Sequence, residues 1–520
     1  MSVRALITAV LSVYALFLTM RHNIHMFQLN GYKNDEHIRW LRKNLRQQWL
    51  LGFGLILGIA RLFFPAVALD ILIWLTLMLD ILVYRAMRRL HTKKKLVYTA
   101  RVKRMIAAIL FLEAAAAAAT VFAAGLEAVP GFCMISVSSQ WFLDIAANII
   151  NHPLEKAISR YYIRDAERML RERPDLKVIG VTGSFGKTSM KYYLQTLLQD
   201  RYNVLVTPGN FNTPLGVTRT IREYLKPTHE IFICEMGARR TGQIREICDM
   251  VHPDMGIITS VGPQHLETFY SIENIQKTKF ELADALPAGG MLFLNGDNQY
   301  IREMAAKYPD SILYYSEQSG AGYRAKDVAV SRLGTDFTVV TPGGESERFQ
   351  MKLIGLHNVI NVTGAIAAAH SLGISLRDLR VPVRKIQPVE HRMQMREHGS
   401  VTLIDDAYNS NPVGSRAAVE TLNMFEGIRI LVTPGMVELG EKEEAYNRQF
   451  GAFAADCCDY ILLVGKKHTE PIMQGALDKG FPAEKCLAFD RLEEAMAYAY
   501  AVRGEGHKYI LLENDLPDNY

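Results

Sequence analysis

Lys177–Met190 reads KVIGVTGSFGKTSM, and the order of residue types within it decides the fold of the second half of the chain. Val178, Ile179 and Val181 supply a buried strand. Gly183 and Gly186 allow the tight turn in which backbone N–H groups surround a phosphate, and Ser184 and Phe185 fill the turn between them. A helix then opens with Lys187, Thr188 and Ser189; the Lys187 ammonium would meet the outer phosphates and the Thr188 hydroxyl a magnesium ion. The strict phosphate-loop pattern asks for glycine six positions before the lysine, where this chain has Val181, with Gly180 one place early. Strand, glycine turn and helix in this order point to a nucleoside triphosphate site.

Downstream, apolar strands at Tyr202–Val206, Glu230–Cys234 and Met255–Ser260 alternate with amphipathic helices, the pattern of a mostly parallel sheet covered on both faces. Residues from about Ser311 to Leu353 are β-rich, with a Gly-Gly turn at 343–344, and read as a small antiparallel addition; Gly355–Gly373 reads as a helix with one face of small residues. A second alternating series starts near Val401 and ends with the strand Tyr509–Leu512, giving a separate Rossmann-like α/β domain. The hinge between the two is expected near Lys385–Glu390. A cleft between two such domains is a usual ligand site.

Upstream the composition changes. Apolar runs at Val3–Met20, Trp49–Phe64, Ala66–Tyr84, Met105–Glu127 and Gly131–Ile150 each approach the ~17 to 25 residues that cross a bilayer as a helix. About five transmembrane helices are therefore expected within 1–150, although Arg61 and Glu113 interrupt two of the runs. No small-residue cleavage site follows Met20, so the first run reads as an uncleaved anchor. Lysine and arginine concentrate in 21–48 and 85–104, while the connections around Pro65 and across 124–130 have none. Five spans with the N-terminus outside put both basic stretches, and everything after Asn151, in the cytoplasm, where ATP is found. The expected arrangement is a multi-pass cell-membrane region (1–150), a linker helix (151–174) closed by Pro174, a central ATP-binding domain (175–387) and a C-terminal α/β domain (388–520).

The chain has 59 Lys and Arg against 54 Asp and Glu, a net charge of +5. Basic loops beside a lipid bilayer account for that excess, and no aromatic-interleaved nucleic-acid module accompanies it, so nucleic acid is not an expected partner. The six cysteines, Cys133, Cys234, Cys248, Cys457, Cys458 and Cys486, form no Cys-x-x-Cys pair and read as ordinary cytosolic thiols.

TGSFGKTS resembles the ATP loop of the Mur ligases, and the resemblance continues in the family's order through NFNTPLGV (210–217), EMGARRTGQI (235–244), VGPQHLETF (261–269), QKTKFELADAL (276–286), NGDN (295–298), GLHNVIN (355–361), EHRMQM (390–395), DDAYNSNP (405–412) and GMVELG (435–440). It is closest to the branch that adds D-alanyl-D-alanine. The resemblance implies a P-loop central domain with a C-terminal α/β domain, and ATP and Mg2+ as cofactors. The implied reaction forms an acyl phosphate from a carboxylate and ATP, and an amine attack then makes an amide. Lys187 and Thr188 would bind phosphates and metal; Glu235 and His265 would hold metal ions. Lys279 falls where these ligases carry a carbamylated lysine, with Lys277 its close competitor. Asn295, Asn298, His357 and Asn358 resemble purine-side contacts, with helix capping the plainer role for each asparagine. Arg392 and Asp406 match the pair that meets the nucleotide on domain closure; Tyr408 and Asn409 lie beside them.

Two departures matter. Mur ligases usually begin with a domain that holds the UDP part of the substrate, and the stretch 151–173 leaves no room for one. The expected acid is therefore a cell-envelope precursor, lipid-linked or polymeric, presented at the membrane, with an amino acid or dipeptide as the amine. ENDLPDNY (513–520) matches nothing in the pattern. A polyglutamate-type synthetase is the alternative enzyme, but Phe185 stands where its loop carries arginine; a nucleotide-regulated membrane transporter or sensor is the alternative from another class.

Overall fold

A computed structural model of the chain describes residues 3–44, 49–89, 95–308, 312–317, 322–331, 334–408 and 411–515. Asn409 and the tail from 516 onward lie outside the described residues. Two compact units are formed, one ending at Arg160 and the other beginning at Tyr161.

The first unit is helical: α1 (Val3–Leu29), α2 (Asn34–Lys43), α3 (Trp49–Phe63), α4 (Val67–Arg89), α5 (Ala100–Ala124), α6 (Val129–Ser138) and α7 (Gln140–Arg171), the last continuing into the second unit. Among the described residues, Val3–Leu29, Val67–Met87 and Ala100–Ala124 are long and apolar enough to cross a membrane. The other two expected spans differ. The 15 residues of α3 reach roughly 22 Å at ~1.5 Å per residue, short of a ~30 Å hydrocarbon core. The run 131–150 is divided at Ser139 by a 72° bend between the Leu126–Ser138 segment and α7, so the pair counts as at most one further span.

Close helix approach explains part of the packing here. A β-carbon on Gly58 would meet the Gly131 carbonyl oxygen at 2.9 Å, and one on Gly131 would meet that of Gly58 at 2.8 Å, so α3 and α6 touch through their glycines. Arg61 and Glu113, which interrupt two of the apolar runs, are matched internally. Arg61 Nε donates to Asp70 Oδ1 at 2.6 Å, and Glu113 accepts from Ser136 Oγ at 2.7 Å and Gln140 Nε2 at 2.8 Å.

No break separates the last apolar run from the expected linker. α7 is continuous through Asn151 and carries Pro153 inside it; the missing N–H removes one helical hydrogen bond without ending the helix.

The second unit contains two sheets. The strands β1 (Lys177–Thr182), β2 (Val204–Val206), β3 (Ile231–Glu235), β4 (Met255–Ile258), β5 (Met291–Asn295), β6 (Ile312–Ser316), β7 (Tyr323–Ser331), β8 (Gly334–Val340) and β9 (Ser346–Met351) lie in the order β2-β3-β1-β4-β5-β6-β7-β8-β9. β1 to β6 are parallel and β7 to β9 antiparallel, so the β-rich stretch extends the parallel sheet instead of standing apart. Ile179, Val181, Ile233, Ile257 and Phe293 pack against Val362, Ala365 and Ile366 of the helix Leu356–Ser371. On the other face, Val178, Phe232, Cys234 and Ile258 pack with Ile221, Ile244 and Phe280.

Residues 386–393 carry no helix or strand and lead to the second sheet. Its strands β10 (Gln394–His398), β11 (Val401–Asp406), β12 (Ile428–Thr433), β13 (Tyr460–Val464), β14 (Cys486–Phe489) and β15 (Lys508–Glu513) lie in the order β10-β11-β15-β12-β13-β14, all parallel except β10.

In the larger sheet β1 sits between β3 and β4, so the connections leaving β1 and β3 diverge at its C-terminal end. An open parallel sheet has its ligand crevice at such a point.

Candidate functional site

The turn after β1 is fixed to the turn after β4. Ser184 N donates to Ser260 O at 2.8 Å, Phe185 N to Ser260 Oγ at 2.8 Å, and Thr259 Oγ1 to Phe185 O at 2.5 Å. Gly183 (φ +153°) and Gly186 (φ +79°) take backbone conformations that disfavour a β-carbon, and one on Gly183 would stand 2.1 Å from Thr259 Oγ1. The loop runs directly into the helix α8 (Lys187–Leu198), whose first N–H groups lack helical partners and face the crevice. Lys187 Nζ donates to Gly183 O at 2.6 Å and Ser184 O at 3.1 Å. Burial draws its pKa down to about 8, with Glu235 acting to raise it and Arg392 to lower it. Ser189 points inward and bonds Tyr193.

Glu235 ends β3 and is shielded from solvent. Its Oε1 accepts from Thr188 Oγ1 at 3.1 Å and from Asn212 Nδ2 at 2.9 Å. Its Oε2 stands 2.8 Å from Lys191 Nζ, at ion-pair distance, while the Lys191 ammonium donates to the carbonyls of Thr207 at 2.8 Å and Gly209 at 2.7 Å. Burial pushes the Glu235 carboxyl up, but Lys191 and Lys187 outweigh it and hold the group below its ordinary range.

Lys279, on the helix Ile272–Asp284, is 1 % exposed. Burial, and then the charge of Lys187, hold its amine well below the usual lysine range. His265 lies in the loop after β4; burial lowers its pKa, Glu438 counteracts, and Arg239 and Lys279 add to the lowering. Its Nδ1 is bound to Glu438 Oε2 of the C-terminal domain. Thr188 and Glu235 are thus in direct contact, whereas Lys279 and His265 join them through a chain of charge interactions, Lys187 to Lys279 to His265.

The expected purine-side residues divide. Asn298 caps the helix Gln299–Ala305 through Ile301 N at 3.1 Å and donates to Val261 O at 2.9 Å; Asn295 donates to Thr259 O at 3.0 Å. Both amides brace the loops after β4 and β5. Asn358 accepts from the Tyr193 hydroxyl at 2.8 Å and donates to Ile354 O at 2.8 Å, an internal role. His357 keeps a buried Nδ1 without a partner, and burial lowers its pKa to about 4, leaving a neutral ring. From the second sheet, Arg392 senses Asp406, Glu235, Tyr193 and Tyr408, and Asp406 Oδ1 accepts from Met393 N at 3.1 Å. Arg392 therefore faces the Lys187–Glu235 pair from the other domain. Tyr408 is exposed and stacks at a tilt on His391, 4.5 Å between centroids.

Among the described residues no three His, Cys, Asp or Glu side chains group as a metal cage. One carboxylate oxygen beside one hydroxyl suits Mg2+ in another way, because that ion takes few protein oxygens and completes its shell with phosphate and water. Thr188 and Glu235 fit that requirement. The sequence reading passed over Lys191, Asn212 and Glu438. Lys191 was detectable, since it lies four residues after Lys187 on one helix face; Glu438 stood in GMVELG without an assigned role, and only the fold brings it to His265.

Residues 181–369 match the Mur ligase middle domain, and residues 391–512 the Mur ligase glutamate ligase domain. The UDP-N-acetylmuramoyl-tripeptide–D-alanyl-D-alanine ligase of Escherichia coli is 30% identical over 364 residues, 68% of this chain and 79% of that protein. Its Bacillus subtilis counterpart is 32% identical over 294 residues, 56% of this chain and 63% of the relative, so the chain spans less than two thirds of that protein. MurF from Acinetobacter baumannii superposes with a TM-score of 0.63 at 26% identity, covering 70% of this chain and 78% of that one. MurF ligase from Thermotoga maritima in complex with ADP gives 0.62 at 25% identity, covering 69% and 80%. With two domains matched in sequence, fold and order, the chain belongs to the Mur ligase family.

Proposed function

We propose that the chain is an ATP-dependent carboxylate–amine ligase that adds D-alanyl-D-alanine, or a similar small amine, to a peptidoglycan-type precursor. The observation that carries the reading is the meeting of Thr188, Asn212 and Lys191 on Glu235 at the end of β3, with Lys187 beside them and Arg392 reaching in from the second sheet.

Bound Mg-ATP supplies the phosphoryl group that converts a carboxylate into an acyl phosphate, which an amine then displaces. The protein's part is positioning and charge. Lys187 and the first N–H groups of α8 hold the outer phosphates, and the low-dielectric surroundings strengthen each contact. Thr188 and Glu235 would hold Mg2+, with Lys191 and Asn212 fixing the carboxylate. Burial disfavours the charged form of Lys279, and the neutral amine is the form whose lone pair would attack carbon dioxide; the carbamate so formed would release one proton and offer an anionic oxygen ligand. Arg392 and Asp406 bring the second domain onto the nucleotide and keep water from an acyl phosphate.

We further propose that the Mur unit works on the cytoplasmic side of a membrane, on an acid presented there by a lipid. The supports are the three first-unit helices long and apolar enough to cross a membrane, and the second unit's need for ATP, which is found in the cytoplasm. The test measures ADP release by the detergent-solubilised chain, offered UDP-linked or lipid-linked muramoyl peptides with and without D-alanyl-D-alanine, beside Lys187→Ala. Amine-dependent release with a product heavier by the amine is expected, faster on the lipid-linked acid. Preference for the UDP-linked acid overturns the membrane reading, and amine-independent release overturns the ligase.

A further inference from the structure

We propose that Glu438 is a positioning residue through which the C-terminal domain completes the metal site, by orienting His265 from across the domain interface. This rests on the ligase reading above, with His265 as the metal ligand that the family resemblance implies, and adds a residue that it does not contain.

Four observations support it. First, the Glu438 carboxylate engages both loops that leave the crevice strands: Oε2 binds Nδ1 of His265, after β4, and Oε1 lies 3.4 Å from Arg239 Nη2, four residues after Glu235. Second, occupation of Nδ1 leaves Nε2 as the ring atom available to a metal. A metal-binding histidine ordinarily gives its other ring nitrogen to a carboxylate, which fixes the tautomer and the ring plane.

Third, the Glu438 loop is braced by its own domain. Met436 N donates to Asn447 Oδ1 and Asn447 Nδ2 returns to Met436 O, each at 2.9 Å, while Met436, Val437 and Leu439 are buried in the C-terminal domain. The backbones also meet, Glu267 N approaching Glu438 O at 3.5 Å. Fourth, His265 (φ +51°) and Glu438 (φ +65°) both adopt left-handed backbone, a strained state that persists where the surrounding structure over-determines it and that clusters at functional sites. Since His265 belongs to the first sheet's domain and Glu438 to the second's, metal affinity and domain closure become one equilibrium.

The experiment titrates Mn2+, in place of Mg2+, into the detergent-solubilised full chain with ADP and follows free Mn2+ by electron paramagnetic resonance. Hydrogen exchange across 262–270 is followed in parallel. The parent binds Mn2+ in a way that Glu235→Gln weakens; if it does not, the metal-dependent ligase reading fails and takes this proposal with it. Given that binding, Glu438→Ala raises the Mn2+ dissociation constant roughly 10- to 100-fold and speeds exchange at His265, while Glu441→Ala, which removes an equal charge from the same loop, leaves both unchanged. If E438A does not fold, E438Q decides, with an expected rise of at least about threefold. A Glu438 variant that folds and holds Mn2+ as tightly as the parent, or an E441A that weakens it equally, overturns the proposal while leaving the ligase reading intact.

Discussion

The Lys191 ammonium and the Glu235 carboxylate stand 2.8 Å apart with neither side chain open to solvent. A buried pair of this kind adds little net stability, yet loss of one partner leaves an uncompensated charge that costs about 3–5 kcal/mol. Lys191→Met is therefore expected to loosen β3. All four tryptophans, Trp40, Trp49, Trp74 and Trp141, lie in the first unit, so amide exchange in β3 is the suitable probe. It should quicken by roughly 100-fold or more in Lys191→Met and recover in part in the Lys191→Met/Glu235→Gln double variant.

Lys187 is charged below its lowered pKa of about 8 and loses its proton above it. Phosphates placed against the ammonium raise that pKa again, so nucleotide binding near pH 8 takes up a proton. Affinity for ATP should fall as pH rises past 8. Calorimetry in two buffers of different ionisation enthalpy should show the uptake, and Lys187→Ala should abolish it.

A methyl group at Gly183 has nowhere to go, because Thr259 Oγ1 is 2.1 Å and Ser260 N 3.0 Å from its position. Gly183→Ala should weaken binding of a fluorescent ATP analogue roughly 10- to 100-fold through strain in the loop. Gly343→Ala, whose methyl would meet only Thr341 Oγ1 at 3.8 Å, should bind as the parent does.

Glu513 is fully buried at the end of β15, and burial lifts its pKa to about 8 against hydrogen bonds from Ser415 and Thr433. An acid with a higher pKa folded than unfolded holds its proton in the folded state, so stability drops as pH rises from about 4.5 to about 8. Glu513→Gln removes this loss. Its melting temperature should exceed the parent's at pH 8, with the gap closing at pH 5.

The nucleotide loop was legible because its chemistry is local: strand, two glycines and a lysine lie within Lys177–Met190, and the expected turn is the observed one. Glu235 and His265 could be placed because each follows an apolar strand. What escaped was whatever depends on partners distant in sequence. Lys191 looked like any charged helix residue until β2 and β3 enclosed it. For Asn298 the sequence left two roles open, ligand contact and helix cap, and the structure shows the cap; one amide chemistry serves both. In the first unit, hydropathy located the apolar runs but not the bend at Ser139, which follows from packing and leaves no mark on a composition average. The short α3 had the same cause: its glycines and Arg61 serve neighbouring helices, not length.

The order of the six-stranded sheet has a consequence for biosynthesis. β15 is the last of these strands to leave the ribosome, yet it lies in the middle, joining β11 on one side to β12 on the other. Until it emerges, the pair β10–β11 and the three strands β12–β13–β14 are separate fragments with unpaired edges, the condition that invites adhesion to other chains. A nascent polypeptide halted before Lys508 therefore cannot assemble the domain that carries Arg392 and Glu438, and translation must reach its final strand before the catalytic cleft can acquire its second wall.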